Sequence, residues 1–243
     1  MNVRDGHVNG TGRSDAVRDT LFRVAGPVLA HMMDAFVEDW AFATGEVLAG
    51  EHWFPTPAAA GTVVARGIAA GPDIDVERIR MTILGALAQA RQRVRIVTPY
   101  FVPDQTILIA LCLAAMRGVT VDVLVPERGN LRLVQWAARA QFDQLIASGC
   151  RIWMTAPPFD HSKLMTVDGY WAFIGSANWD QRSFRLNFEL NVECYDAALA
   201  EDIDGLIDGK QAAARPVEAA ELNRRSLVAR LRDGAAWLLS PYL

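Results

Sequence analysis

Residues 161–178, HSKLMTVDGYWAFIGSAN, set His161, Lys163 and Asp168 in the spacing H-x-K-x4-D, and Gly175, Ser176 and Asn178 come next as G-S-x-N. On a strand, side chains two apart project from one face, so His161 and Lys163 would meet one ligand together, as would Ser176 and Asn178. An imidazole can attack phosphorus or carry a proton near neutral pH. A lysine ammonium is a compact charge that stabilises phosphate oxygens as negative charge builds on them. The hydroxyl and the amide add donors, and Gly175 lets backbone approach closely. The combination suits chemistry at a phosphodiester. Each residue alone reads as an ordinary surface or turn residue, but six residue types at fixed spacings form a specific pattern.

These groups need a rigid frame, and the chain supplies alternating strands and helices from Thr62 onward. TVVARGIA reads as a strand, Asp75 to Arg91 as a helix, VRIVTPYF as a buried β-branched strand, and Gln105 to Met116 as a helix. GVTVDVLVP is the next strand, Leu131 to Ser148 the next helix, and CRIWMTA another strand. The motif itself reads as two short strands joined at Asp168-Gly169, a pair favoured in type I′ turns. FELNVECYD adds a last strand, and helices at Ala198 to Gln211 and Glu221 to Leu239 close the chain. The expected fold is α/β, a mixed, largely parallel β-sheet flanked by helices.

Ahead of this domain (62–243), residues 1–14 read as a disordered polar tail and 15–61 as a helical segment with a linker. Asp15 can cap a helix in which Val17, Leu21, Val24, Val28 and Met32 recur near helical spacing, broken at Gly26-Pro27. GEVLAGEHWFPTPAAAG, rich in glycine, proline and small residues, reads as the linker. No internal repeat accompanies the motif.

A formal net charge of -4 without a block of Lys or Arg argues against a nucleic-acid partner. Cys112, Cys150 and Cys194 are odd in number, far apart and each in an apolar neighbourhood, which predicts buried free thiols in a reducing compartment. His7, His31 and His52 share no metal-ligand spacing, so no metal or other cofactor is expected. The most apolar run, Thr106 to Met116, is far shorter than the ~20 residues that cross a bilayer, and no signal peptide is legible at the N-terminus.

The pattern H-x-K-x4-D-x6-G-S-x-N resembles the signature of the phospholipase D superfamily, with every position filled. TPYFVPD at Thr98 to Asp104, the stretch from Asp160 to Asp196 and the terminal RLRDGAAWLLSPYL resemble, more closely, the C-terminal half of bacterial cardiolipin synthases. The resemblance implies phosphatidyl transfer or phospholipase-type cleavage through a phosphohistidine, without metal. It implies that His161 is nucleophile or general acid, that Lys163 and Asn178 hold phosphate oxygens with support from Ser176, and that Glu189 orients the imidazole. Asp168 would hold the hairpin.

Such enzymes pair two motifs, and this chain carries one. DAVRDTLFRVAGPVLAHMMDAFVEDW resembles the segment just after the first motif of those enzymes, making residues 15–61 a remnant of a preceding half. The expected partners are a phosphatidylglycerol-like phospholipid, a membrane surface, and either a second copy of this chain or another motif-bearing chain. The expected location is cytoplasmic, peripheral to the inner face of the membrane. A single-motif phosphodiesterase or nuclease and an inactive half-enzyme are the alternatives. Arg182 and Arg185 could greet an anionic headgroup or be solvated, and Tyr100 and Phe101 could line a lipid entrance or pack. The terminal segment sets Leu227, Val228, Leu231, Ala235, Leu238 and Leu239 against Arg224, Arg225, Arg230 and Arg232, for an anionic interface or for packing onto the domain.

Overall fold

A computed structural model describes residues 16–72 and 76–242. The expected tail at 1–14 lies outside the described residues.

Eight strands form one sheet. In chain order they are β2 (Val64–Ala70), β3 (Arg93–Val97), β5 (Thr120–Pro126), β6 (Arg151–Thr155), β8 (Leu164–Val167), β9 (Trp171–Gly175), β11 (Glu189–Tyr195) and β12 (Ala214–Pro216). Their order across the sheet is β12-β6-β5-β3-β8-β9-β11-β2. Two-stranded pairs of β1 (Val17–Arg18) with β7 (Phe159–Asp160), and of β4 (Phe101–Val102) with β10 (Trp179–Asp180), lie outside it.

The sheet is mixed, as the sequence indicates, but its parallel share is smaller than expected. Within it, only β3–β5 and β5–β6 pair in parallel, linked by crossover helices α3 (Gln105–Met116) and α4 (Arg132–Ala147). The other neighbours are antiparallel. From β6 to β11 the connections carry no long crossover helix, and β8, β9 and β11 pair antiparallel in succession. β12, unforeseen in the sequence, adds a short antiparallel edge.

Period-two alternation sorts the two faces. Val94, Ile96, Val121, Val123, Met165 and Phe173 point to a large core beneath α3, α4 and α2 (Arg78–Gln89). Val97, Leu124, Leu164 and Ile174 point to a smaller one beneath α6 (Ala197–Ala212). On that second face Arg95 is fully buried, held by Asp204, Asp208 and Gln211 of α6. All three cysteines are free and buried.

Two segments depart from the helical reading. Val17–Arg18 form a strand and no helix starts until α1 (Leu29–Thr44), after Gly26 turns the chain at a φ of 99°. Backbone pairing to β7 therefore outweighs the helical spacing of Val17, Leu21 and Val24. The expected single helix at 221–239 is split into α7 (Ala219–Asn223) and α8 (Leu227–Leu238), where the Ser226 side chain accepts from the Ala229 N–H and starts a new helix.

Candidate active site

His161 and Lys163 sit between β7 and β8 in irregular backbone, where two neighbours fix them. The His161 N–H donates to the Arg18 carbonyl at 2.7 Å, so the little β1–β7 ladder ends at the histidine. Lys163 folds back onto it: its Nζ lies 3.1 and 3.0 Å from Nδ1 and Nε2 and donates to the His161 carbonyl at 2.6 Å. The imidazole and the ammonium thus face one ligand space together. Burial pushes the Lys163 ammonium down to about 8 against the pull of the Asp19, Glu189, Asp160 and Asp180 carboxylates.

The carboxylate at the imidazole is Asp19, whose Oδ2 lies 3.3 Å from Nδ1. Burial raises the Asp19 carboxyl, but its hydrogen bonds with His161 and the Thr20 N–H, and the His161 and Lys163 charges, outweigh that and hold it below its ordinary value. The resemblance assigns this orienting role to Glu189. In the structure Glu189 accepts instead from the Ser176 hydroxyl, just past β9, and from the Asn187 amide at 3.2 Å, just before β11. Asp19 falls in the stretch that the sequence marks only as a remnant, and nothing local distinguishes a carboxylate 142 residues from its partner.

Ser176 and Asn178 lie where β9 hands over to β10. Ser176 accepts from the Leu190 N–H at 2.9 Å while donating to Glu189. Gly175 is needed for this junction: a Cβ there would stand 2.3 Å from Asn191 Oδ1 and 2.5 Å from the Leu190 carbonyl oxygen. The Asn178 amide donates to the Ser183 hydroxyl at 3.2 Å, leaving its Oδ1 buried and without a protein partner. The amide nitrogen carries two hydrogens, and the one not given to Ser183 can donate to a ligand oxygen. Asp180 caps α5 (Gln181–Arg185) through the Ser183 N–H at 2.7 Å, and burial pushes its carboxyl up to about 6. Arg182 and Arg185 of α5 are exposed.

Beneath the histidine, Lys210 of α6 donates to Asp160 and, at 3.3 Å, to the Ser162 hydroxyl. Asp160 in turn accepts from the Ser162 N–H at 3.0 Å, and Thr20 bonds Ser162 at 2.8 Å. The residues on either side of His161 are therefore both pinned by one buried lysine. The one hint of it in the sequence is Asp160, directly before the motif.

Asp168 stands apart, at the far end of β8. It and Gly169 take φ values of 53° and 64°, the type I′ geometry, and its carboxylate accepts from the N–H groups of Arg91, Gln92 and Arg93 at 2.8 Å each. Phe101 is buried and stacks on Trp179, while Tyr100, Phe159 and His161 form a row with ring centroids 6.1 Å apart at each step.

A chain with this geometry has specific relatives. The family described as cardiolipin synthase, PLD-like domain matches residues 83–209. Cardiolipin synthase A of Pseudomonas entomophila is 35% identical over 242 residues, covering 100% of this chain and 50% of its own length. Cardiolipin synthase 2 of Staphylococcus epidermidis is 31% identical over 245 residues with the same coverage. The chain thus spans about half the length of the curated relatives it matches. Among solved structures, phosphatidylserine synthase of Haemophilus influenzae aligns with a TM-score of 0.59 at 14% identity, over 77% of this chain and 50% of that one. Nuc from Salmonella typhimurium, a phospholipase D family member, aligns with a TM-score of 0.56 at 23% identity, over 65% of this chain and 100% of that one. These two likenesses establish the fold.

Proposed function

Because this chain belongs to the cardiolipin synthase, PLD-like domain family, we propose that it carries one half of a phosphatidyl-transfer site acting on phospholipids at a membrane surface. His161 attacks the phosphorus of a phosphatidyl donor, the bond from phosphorus to the departing alcohol breaks, and a phosphohistidine forms. An acceptor hydroxyl, on a lipid glycerol or on water, then attacks that phosphorus and releases the imidazole. Lys163 and the Asn178 amide stabilise the charge that gathers on the phosphoryl oxygens. Asp19 holds the imidazole, Glu189 and Ser176 hold the strand end, and Asp168 holds the hairpin.

The observation that carries this reading is the contact of the Lys163 ammonium with the His161 imidazole. In-line attack and protonation of the leaving alcohol take place on opposite faces of phosphorus, so one histidine cannot do both in one step. The second proton donor comes from another domain of this kind, in a second copy of the chain or in a separate polypeptide. The half-length match to the relatives supports that reading. A net charge of -4 opposes a nuclease function.

The test is turnover of radiolabelled phosphatidylglycerol against protein concentration, with trapping of an acid-labile phosphoenzyme. Turnover per chain that rises with concentration, or on adding a chain with a second motif, supports a shared site. Full activity from a strict monomer overturns the shared site, and labelling of DNA in preference to lipid overturns the substrate class.

A further inference from the structure

Helix α8 is built inside out. The side it turns to α4 carries Ala229, Ala236, Trp237 and the fully buried Asp233, and its large aliphatic side chains face away. Arg225 and Arg232 clasp Asp233, and the Arg232 guanidinium lies 4.4 Å over the Trp136 ring of α4. That clasp fixes the helix with its leucines outward. Leu227, Val228, Leu231, Leu238, Leu239 and Tyr242 are all exposed, Val228 at 77% and Leu238 at 71%. The first five fall within about a third of the helix circumference at 100° per residue. A helix that merely covered the domain would present this stripe to α4.

The fringe of the stripe is cationic. Arg224 and Arg230 are exposed and, among the described residues, make no side-chain hydrogen bond, whereas Glu221, the acid just before them, is engaged by Arg215. The far end of the helix leads straight to the site. The terminal turn Ser240–Tyr242 packs on α5, with Gln181 bonded to Ser240 at 3.3 Å, and α5 comes directly after Asn178 and Asp180.

The geometry points to the outer face of α8 as a docking surface for an anionic lipid bilayer, lying in the interface with its leucines among the acyl chains and Arg224 and Arg230 among the headgroups. Among the described residues no helix is long and apolar enough to cross a membrane, so this contact is one of lying on the surface. It deepens the phospholipid reading above and rests on it. It also sets the site close to the lipids, because the terminal turn at the end of α8 packs on α5.

The test is flotation of the chain with vesicles of phosphatidylcholine alone or with phosphatidylglycerol added. The chain should float with the anionic vesicles. The triple variant Leu227→Ser, Leu231→Ser, Leu238→Ser should bind them about 10-fold more weakly or worse, since each lost leucine removes buried apolar area. These positions are exposed, so its melting curve should match the parent. Arg224→Gln with Arg230→Gln should abolish the preference for anionic vesicles. Equal flotation of the folded triple variant overturns the proposal, as does a change in sedimentation mass without a change in vesicle binding, which marks the stripe as a protein interface. An unchanged anionic preference in the arginine variant overturns the choice of an anionic surface. The His161→Ala chain should float like the parent: if it floats but the parent turns over no lipid, the docking surface stands and only the chemistry of the site fails.

Discussion

The two ends of the β8–β9 hairpin come from one short stretch of sequence and are built on different principles. At the Asp168 end, two residues adopt left-handed backbone in a turn that the local sequence dictates, and that turn aims one carboxylate at three consecutive backbone N–H groups of the segment entering β3. At the His161 end the backbone is irregular, and the side chains are held from the β1 segment and from α6, 142 and 50 residues away. The first end is architecture made around a tight turn. The second is a reactive constellation assembled from remote parts, and polar groups there stay incompletely matched, as the Asn178 oxygen illustrates. One short motif therefore mixes a structural device with a reactive one, and substitutions should separate them.

The largest separation is expected at the histidine. His161→Ala should abolish turnover and phosphoenzyme together with little change in melting temperature, since no other residue of the motif can attack phosphorus. Appreciable turnover in that variant would break the comparison outright. Lys163→Met should lower kcat by roughly 10²–10³-fold, as removal of a charge-stabilising donor does. Because burial holds the ammonium near 8, below its usual range, the wild-type rate should fall as pH rises through about 8, when the charge is lost. A rate flat to a pH well above that would show that Lys163 acts otherwise.

A smaller effect on rate is expected one layer below. Lys210→Met should cost roughly 10–100-fold in kcat by loosening the His161 backbone, with KM little changed, and Lys210→Arg should restore part of it. Lys210→Met also strands the buried Asp160 charge, so the double variant with Asp160→Asn should melt higher than the single one. If the double variant regains stability but not rate, position and charge are resolved from each other. The opposite end should show the reverse pattern: Asp168→Ala should cost about 3 kcal/mol of stability in chemical denaturation while the surviving folded enzyme keeps its kcat. A kcat that collapses with it would place Asp168 among the reacting groups.

The smallest effect concerns Asp180. Its pKa is raised in the folded chain, so its contribution to stability is fully present below the ordinary carboxylate range and is lost as pH rises through about 6. Asp180→Asn, which keeps a capping side chain, should flatten that slope between the ordinary carboxylate range and about 6, a difference visible in melting temperature against pH.

Legibility in the sequence divides along the same line. The type I′ turn, the crossover helices at 105–116 and 132–147, and the strand ends depend on residues a few positions apart, and spacing reveals them. The sheet's parallel share is overestimated from sequence because the direction of β8, β9 and β11 depends on their connections, which lack a long crossover helix, more than on strand composition. Asp19 and Lys210 are illegible for a different reason: a carboxylate in an extended segment and a lysine inside an amphipathic helix carry no mark of the partner they meet across 142 and 50 residues. The helical spacing of Val17, Leu21 and Val24 even points away from the strand that delivers Asp19. Likewise, the leucines of 227–239 announce an apolar stripe, and only the Asp233 clasp decides which way it faces.

The short β1–β7 ladder has a consequence for how the protein comes into being. During synthesis Asp19 emerges long before His161, and at roughly 5–20 residues per second the separation of 142 residues takes on the order of ten seconds. Throughout that interval β1 has no strand to join, since its ladder partners Phe159 and Asp160 are themselves unmade. The parallel ladder of β3, β5 and β6 can form cotranslationally, but the imidazole gains its carboxylate only when the second end of this contact leaves the ribosome. The first acid of the site to be made is thus among the last to be placed, and a nascent chain released before residue 161 holds a nearly complete parallel core and no trace of the reactive centre.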